Sequence, residues 1–457
     1  MKPDLGNLEN FLQWAAALGV SDSPISVAAS SSCLGHALCI SHFPDAGGRG
    51  LAATRSINKG ELVLRVPKEA LMTSDCLIGN DQKLMAVLGN FPLLSSPQIL
   101  SIALLNEINK GPSSAWYPYL KQLPQSYDLL ASFTQFEIDA LQIADAIWAA
   151  EKAVQKSKSE WEEATPILRA LNLKIKLISF SAWLWASATI SSRTMHIPWD
   201  AAGCLCPVGD FFNYAPPGEA PHSHTDDTNT DRLTDAGYDE ALGCYCFYAK
   251  RNYEKGDQVL LSYGMYTNLE LLEHYGFLLQ DNPNDQAFIS LEPEMYSLCS
   301  WPKDSLYISR DGKPSFALLS TIRLWATPLS KRKSVKHIAL SGHIISAENE
   351  SATMEWMMQK CETLLSSCST SIDEDVKLVD IVEKLEDYNS TDAEYRDLSI
   401  CDEIRGFLES HSFRLPLSVK SKSFIYKWKM AIEWRLSRKR ILRDCISYCR
   451  AMLNNDS

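Results

Sequence analysis

Cys206-Pro-Val-Gly-Asp210-Phe-Phe-Asn213-Tyr214, followed downstream by Leu260-Leu-Ser-Tyr263-Gly264 and Asn268-Leu-Glu-Leu-Leu-Glu-His-Tyr275-Gly276-Phe277, are the segments on which the fold of this chain turns. Asp210 and Asn213 lie three positions apart, so in a tight crossing both face one pocket. Taken by themselves they also suit an ordinary Asx turn. That turn accounts for neither Tyr263-Gly264 nor the run from Asn268 to Phe277. A third segment, Gly47-Gly48-Arg49-Gly50-Leu51 continuing to Gly60-Glu61-Leu62-Val63-Leu64-Arg65-Val66-Pro67, precedes both. The pattern here predicts strands at Ala37 to Ile40, Leu51 to Thr54 and Glu61 to Val66. A Gly-rich turn and Asn58-Lys59-Gly60 separate them, which makes a small antiparallel sheet.

In this order the three segments resemble the SET-domain methyltransferases. The first resembles the family's Asp-x-x-Asn element that threads a pseudoknot and grips S-adenosylmethionine; the second resembles the stretch whose tyrosine stands where the methyl group crosses. With Arg193 ahead of Ile197-Pro198, and Trp116-Tyr-Pro-Tyr119-Leu120-Lys-Gln-Leu123-Pro124, the chain is similar to the branch typified by the Rubisco large-subunit lysine methyltransferase. That resemblance is strong over 45 to 280 and weaker beyond. It implies an α+β fold: a SET-domain β-fold with a pseudoknot over 36–280, interrupted by a helical insert at about 91–195. An N-terminal helical extension (1–35) precedes it, and a C-terminal all-α substrate-binding domain (285–457) follows.

The resemblance also implies a site. Gly48, Arg49, Gly50, Arg193, Asp210, Asn213, Tyr214, Tyr263, Tyr275 and Phe277 are its expected cofactor contacts, with Tyr263 also the catalytic residue and no metal required. These residue types suit a sulfonium cofactor carrying adenine and an amino-acid end. Glycines allow close backbone approach, Asn213 supplies an amide, and aromatic faces favour a nearby cation. Methyl transfer to nitrogen is an in-line displacement that asks for alignment, which the Tyr263 hydroxyl and nearby carbonyls supply. A lysine amine must arrive neutral, which costs about 4 kcal/mol near neutral pH given a reference pKa of about 10.4. Tyr214 departs from the family's usual histidine. Met195 and Gly209, apolar or small, favour an alkyl-amine channel, hence a protein-lysine N-methyltransferase over a protein-histidine methyltransferase. A catalytically weak or inactive SET-fold protein-binding module is the reading that Tyr214 and the exposed loop after it motivate.

Composition bounds the rest. At 457 residues two or three packed units are expected. No apolar run reaches the roughly 18 residues of a membrane helix, and the opening Met1-Lys-Pro-Asp4 lacks a secretory layout. Thirteen scattered cysteines read as reduced thiols, which points to the cytosol or nucleus. The net charge of −12 disfavours nucleic acid as a partner; a protein substrate presenting lysine to a monomeric enzyme is the expectation. Cys204-Leu-Cys206, His222-Ser-His224 and Cys244-Tyr-Cys246 invite zinc, but their spacing suits strands better.

Period-3.6 patterns predict a helix at Phe11 to Leu18 and others around Ile99 to Leu105, Ile138 to Trp148 and Trp183 to Ile190. After Pro198 the chain reads as irregular, with a loop over Ala215 to Asp235. Strands return at Leu242 to Ala249 and Gln258 to Ser262, and helices dominate from about 285, with loops at Ser366 to Ser371 and at Ser390 and Thr391. The run from Lys420 through Lys427, Arg435, Arg438 and Lys439 to Arg443 reads as a solvated basic face, opposite a core stripe of Phe424, Ile425, Trp428, Ile432, Trp434 and Leu436.

Overall fold

A computed structural model describes residues 5–23, 32–44, 48–216, 235–387, 402–411 and 419–455. The expected loops at 217–234 and at Ser390 and Thr391, with His222, His224 and Gly47, lie outside these residues. The chain divides into two compact units: residues 1–132 with 153–265, and residues 133–152 with 266–457. This division falls at 265/266, against about 280 expected from sequence, and joins part of the helical insert, 133–152, to the second unit.

In the first unit the helix Leu5–Ala17 packs through Phe11, whose ring lies 5.6 Å from Phe211 and 6.2 Å from Tyr119. This helix is thus built into the unit's core. Strands β1 (Leu38–Phe43), β2 (Gly48–Ala53), β9 (Gln258–Leu261) and β6 (Asn213–Tyr214) form one sheet in the order β1-β2-β9-β6. β1, β2 and β9 pair antiparallel, whereas β6 runs parallel to β9 with Asn213 opposite Leu260 and Tyr214 opposite Leu261. A second sheet has the order β3 (Leu62–Pro67), β8 (Cys244–Tyr248), β7 (Ala236–Asp239). Alternation of Leu51, Ala53, Val63, Phe247, Val259 and Leu261 turns their side chains into one buried cluster.

The stretch directly after Pro198 is not irregular. β4 (Thr194–Ile197) and β5 (Asp200–Leu205) form a hairpin, with Ile197 opposite Asp200 across Pro198-Trp199. Proline sits in the turn, where no ladder hydrogen bond is lost. The helix Phe180–Arg193 leads into it, capped by the Ser179 side chain accepting from the Ala182 N–H.

Among its described residues the second unit has helices and one short antiparallel strand pair, β10 (Gln286–Phe288) with β11 (Tyr307–Ser309). Its spine is the helix Val419–Asn455, 37 residues and about 55 Å long at about 1.5 Å per residue. Ile425, Trp428, Ile432, Trp434 and Leu436 are buried along it, as the stripe predicted. The basic face is solvated only in part: Lys422, Arg440 and Arg443 are exposed, but Lys427, Arg435, Arg438 and Lys439 are buried. Arg435 reaches Asp375 (2.8 Å), Glu403 (2.9 Å) and the Ala140 carbonyl (2.6 Å), and Lys439 reaches Asp375 (2.6 Å). The segment 133–152 is tied in by these bonds and by Phe136, which packs on Phe407 and Trp428. Buried cations need such partners to offset their desolvation.

Candidate functional site

The site in the first unit is built on a strained turn. Val208, a buried β-branched residue, has φ +70°, a conformation costing on the order of 1–3 kcal/mol. It starts the one-turn helix Gly209–Phe211, and the chain then enters β6 beside β9. Reciprocal bonds lock the crossing. The Tyr263 hydroxyl donates to the Phe212 carbonyl, and the Tyr214 hydroxyl donates to the Gly264 carbonyl at 2.8 Å. The two rings lie 5.2 Å apart. Burial raises the Tyr263 phenol above its ordinary value, so it stays protonated at neutral pH.

Gly50 and Asn213 meet closely. A Cβ on Gly50 would lie 2.8 Å from Asn213 Nδ2 and from Gln258 Nε2, so only glycine leaves that amide where it is. Asn213 Nδ2 donates to the Arg49 carbonyl at 3.4 Å. Gly48 has φ +77°. The Arg49 side chain points to the 117–123 segment: it donates to the Gln122 carbonyl (2.6 Å) and Oε1 (3.1 Å), with its guanidinium 4.0 Å over the Phe211 ring. Burial lowers its pKa, against the pull of Asp210.

Asp210 is the electrostatic centre, its side chain 1% exposed. Oδ2 accepts from Tyr119 Oη and from Arg193 Nη1, each at 3.0 Å, and Arg193 Nη1 also donates to the Asp210 carbonyl at 3.0 Å. Oδ1 is buried and accepts no hydrogen bond among the described residues. Arg193 Nε donates to Tyr127 Oη (3.2 Å), which Thr189 also approaches. Burial disfavours the Arg193 cation, yet Asp210 together with Tyr127 and Tyr119 outweighs it and the pKa is raised. Burial likewise raises the Tyr119 phenol, and the Asp210 carboxylate adds to the shift.

The structure therefore brings together Gly48, Arg49, Gly50, Arg193, Asp210, Asn213, Tyr214 and Tyr263. Tyr275 and Phe277 belong to the second unit, where Tyr275 packs edge-on to Tyr266 (5.4 Å) and against Phe277 (6.1 Å). Asn268 is buried there too, bonded to Asp285 and the Leu279 carbonyl. Sequence reasoning gave no role to Tyr119, Gln122 and Tyr127; the Trp116-to-Pro124 motif held the signal for the first two. The side-chain direction of Gly209 is filled by packed residues. A Cβ there would collide with the Phe247 ring and lie 2.7 Å from Cys206 Sγ, so its smallness serves core packing. Cys204 and Cys206 are likewise buried core thiols, and burial pushes Cys204 up to about 12.

Comparison with known proteins agrees with this architecture. A SET-domain family model matches residues 48–264, and a model described as Rubisco LSMT substrate-binding matches residues 271–442. Protein SET DOMAIN GROUP 40 of Arabidopsis thaliana is 50% identical, covering 98% of this chain and 96% of its own length. Actin-histidine N-methyltransferase of Xenopus tropicalis is 26% identical over 74% of this chain and 61% of its own. SET domain-containing protein 4 of Homo sapiens is 26% identical over 70% of this chain and 75% of its own. The SET domain of LSMT bound to lysine and AdoHcy shares the fold, with a TM-score of 0.62, 16% identity, and 100% of this chain and 93% of that one covered. Rubisco LSMT bound to sinefungin and monomethyllysine gives a TM-score of 0.62 at 16% identity, covering 100% of this chain and 94% of that one.

Proposed function

This chain belongs to the SET-domain family, and we propose that it is an S-adenosylmethionine-dependent protein-lysine N-methyltransferase acting in the cytosol or nucleus. The observation that carries the reading is the reciprocal pair of tyrosine ties, which fixes the Tyr263 hydroxyl at the crossing of β6 and β9.

The residues present fit the cofactor. Glycine at two of three positions in Gly48-Arg49-Gly50 leaves backbone to approach, the Asn213 amide stands at the Arg49 carbonyl, and two aromatic rings lie side by side. Asn213, the 48–50 backbone and the Tyr214 and Tyr263 rings are the groups proposed to hold it. Bound S-adenosylmethionine supplies an electrophilic methyl group on a sulfonium cation. Tyr263 acts as an orienting group: with its proton committed to the Phe212 carbonyl, its oxygen has lone pairs for an incoming amine N–H. Its raised pKa argues against a role as base, so the amine loses its proton before or on entry. Asp210 and Arg193 position the turn and take no part in the transfer.

Lysine is favoured by the likeness of fold to proteins solved with lysine and monomethyllysine. Histidine is the second reading, favoured by the actin-histidine relatives and by the packing of Gly209, which removes one argument for an alkyl channel. Labelled S-adenosylmethionine, the purified chain and a protein extract, followed by complete hydrolysis, separate them. Label in methyllysine, lost in Tyr263→Phe with cofactor binding intact, is expected. Label in methylhistidine selects the second reading. Failure of the folded chain to bind S-adenosylmethionine or transfer label leaves a non-catalytic binding module.

A further inference from the structure

From Gly312 to Ala347 the second unit carries no aspartate or glutamate, but it has Lys313, Arg323, Lys331, Arg332, Lys333 and Lys336, with His337 and His343, in a chain of net charge −12. Three of these cations are committed: Lys313 to Asp311, Arg323 to buried Glu350, and Arg332 to the carbonyls of Trp325 and Thr327. Lys331, Lys333 and Lys336 are exposed, and their ammonium groups make no hydrogen bond or ion pair among the described residues. They open the helix Arg332–Leu340, whose first turn has no acidic residue, so they stand at the positive end of its dipole, an arrangement unfavourable for the helix itself. Lys333, Lys336 and His337, three and four positions apart, share a face.

Large apolar side chains stand exposed around the same helix: Leu329 (78%), Ile344 (55%) and Phe316 (49%). Phe316 lies against Gly342, just past the helix end, and edge-on to Trp301 at 5.5 Å. The bonds from Ser320 to the Ala339 carbonyl (2.9 Å) and from Arg323 to the Gly342 carbonyl (3.1 Å) hold the helix Phe316–Ala326 beside this one. Unpaired cations interleaved with exposed apolar groups have the composition of a recognition surface.

We propose that this face docks an acidic segment of the protein substrate that also carries large apolar residues, an inference that rests on the reading of the chain as a protein methyltransferase. Charge complementarity selects the occupant. A nucleic acid would gain from the lysines but meet a chain of net charge −12, and its backbone would leave Leu329, Ile344 and Phe316 uncovered.

The test uses the full chain and its triple variant Lys331→Glu, Lys333→Glu, Lys336→Glu, whose exposed positions leave the core untouched; a thermal melt checks this. The probe is a fluorescein-labelled peptide of about twelve residues of Glu, Leu and Phe, with a counterpart carrying Gln for Glu, followed by anisotropy at about 0.05 M and about 0.3 M salt. The acidic peptide should bind, weaken with salt, and lose about tenfold affinity both in the triple variant and on exchange of Glu for Gln. Equal affinity for wild type and variant overturns the proposal, as does tighter binding of single-stranded RNA or anionic vesicles than of the peptide. S-adenosylmethionine titration of the same preparations reports separately on the enzymatic reading.

Discussion

Replacing Asp210 with asparagine keeps the shape of the side chain and its acceptor oxygen but removes the negative charge that faces Arg193 and Arg49. The carboxylate is almost wholly buried and Arg193 is 20% exposed. Breaking a buried pair from one side costs about 3–5 kcal/mol, and the partial exposure of Arg193 places the expectation at about 3 kcal/mol. For a unit of this size, about 2–4 °C is lost per kcal/mol, so the first unit should melt about 6–12 °C lower. Scanning calorimetry of wild type, Asp210→Asn, Arg193→Met and the double variant supplies both the shift and the coupling. Because the residues are in direct contact, the cycle should be non-additive by well over about 0.5 kcal/mol. An Asp210→Asn melt within about 1 °C of wild type, or an additive cycle, would refute the reasoning, since the pair would then behave like a solvated surface bridge.

Gly209→Ala should destabilise by about 1–3 kcal/mol, measured by urea unfolding, because its Cβ would press on the Phe247 ring and Cys206 in a filled core. Arg435→Met leaves Asp375 and Glu403 without their shared guanidinium and should cost about 3–5 kcal/mol; Arg435→Lys should recover only part, lacking the fork that holds both carboxylates and the Ala140 carbonyl. Alkaline pH should destabilise the first unit. Burial raises Cys33 and Cys204 from 9.0 to about 12, so the stability they contribute is whole below pH 9 and falls as pH climbs toward 12. At about pH 10.5 the loss is about 2 kcal/mol per thiol, and a Cys33→Ala/Cys204→Ala variant should show a correspondingly smaller drop in urea midpoint between pH 8 and that pH.

What sequence could show is what local period and motif order encode. The strands around Leu51 and Leu64 and the core stripe of the last helix were legible there, and the resemblance implied a pseudoknot at Asn213 without its parallel register on Leu260-Leu261. The β4–β5 hairpin was not, because Ala201-Ala-Gly203 has weak strand preference and Pro198 masks a tight turn as irregular chain. Nor was the burial of Arg435 and Lys439. Their partners lie far away in sequence, at Asp375 and Glu403, and no window on a single helix sees them. The same holds for Tyr119, 91 positions from the carboxylate to which it donates.

Tyr214 is where motif and structure bear on each other most directly. The resemblance expects histidine, and its absence raised the possibility of a failed cofactor site. In the structure the phenol has a task that an imidazole of shorter reach is poorly shaped for: its hydroxyl donates to the Gly264 carbonyl from the strand beside β9 while its ring packs on Tyr263. The substitution therefore adds a tie between β6 and the segment just past β9, whose alignment places the Tyr263 hydroxyl. Tyr214→Phe removes that tie and keeps the ring, at about 0.5–1.5 kcal/mol of stability. If the tie serves alignment, turnover should fall by more than S-adenosylmethionine affinity does, since a loosened Tyr263 misorients the amine without removing a cofactor contact. Equal losses in both would place the Tyr214 hydroxyl, and not only its ring, in cofactor binding, and no loss in either would make the tie incidental.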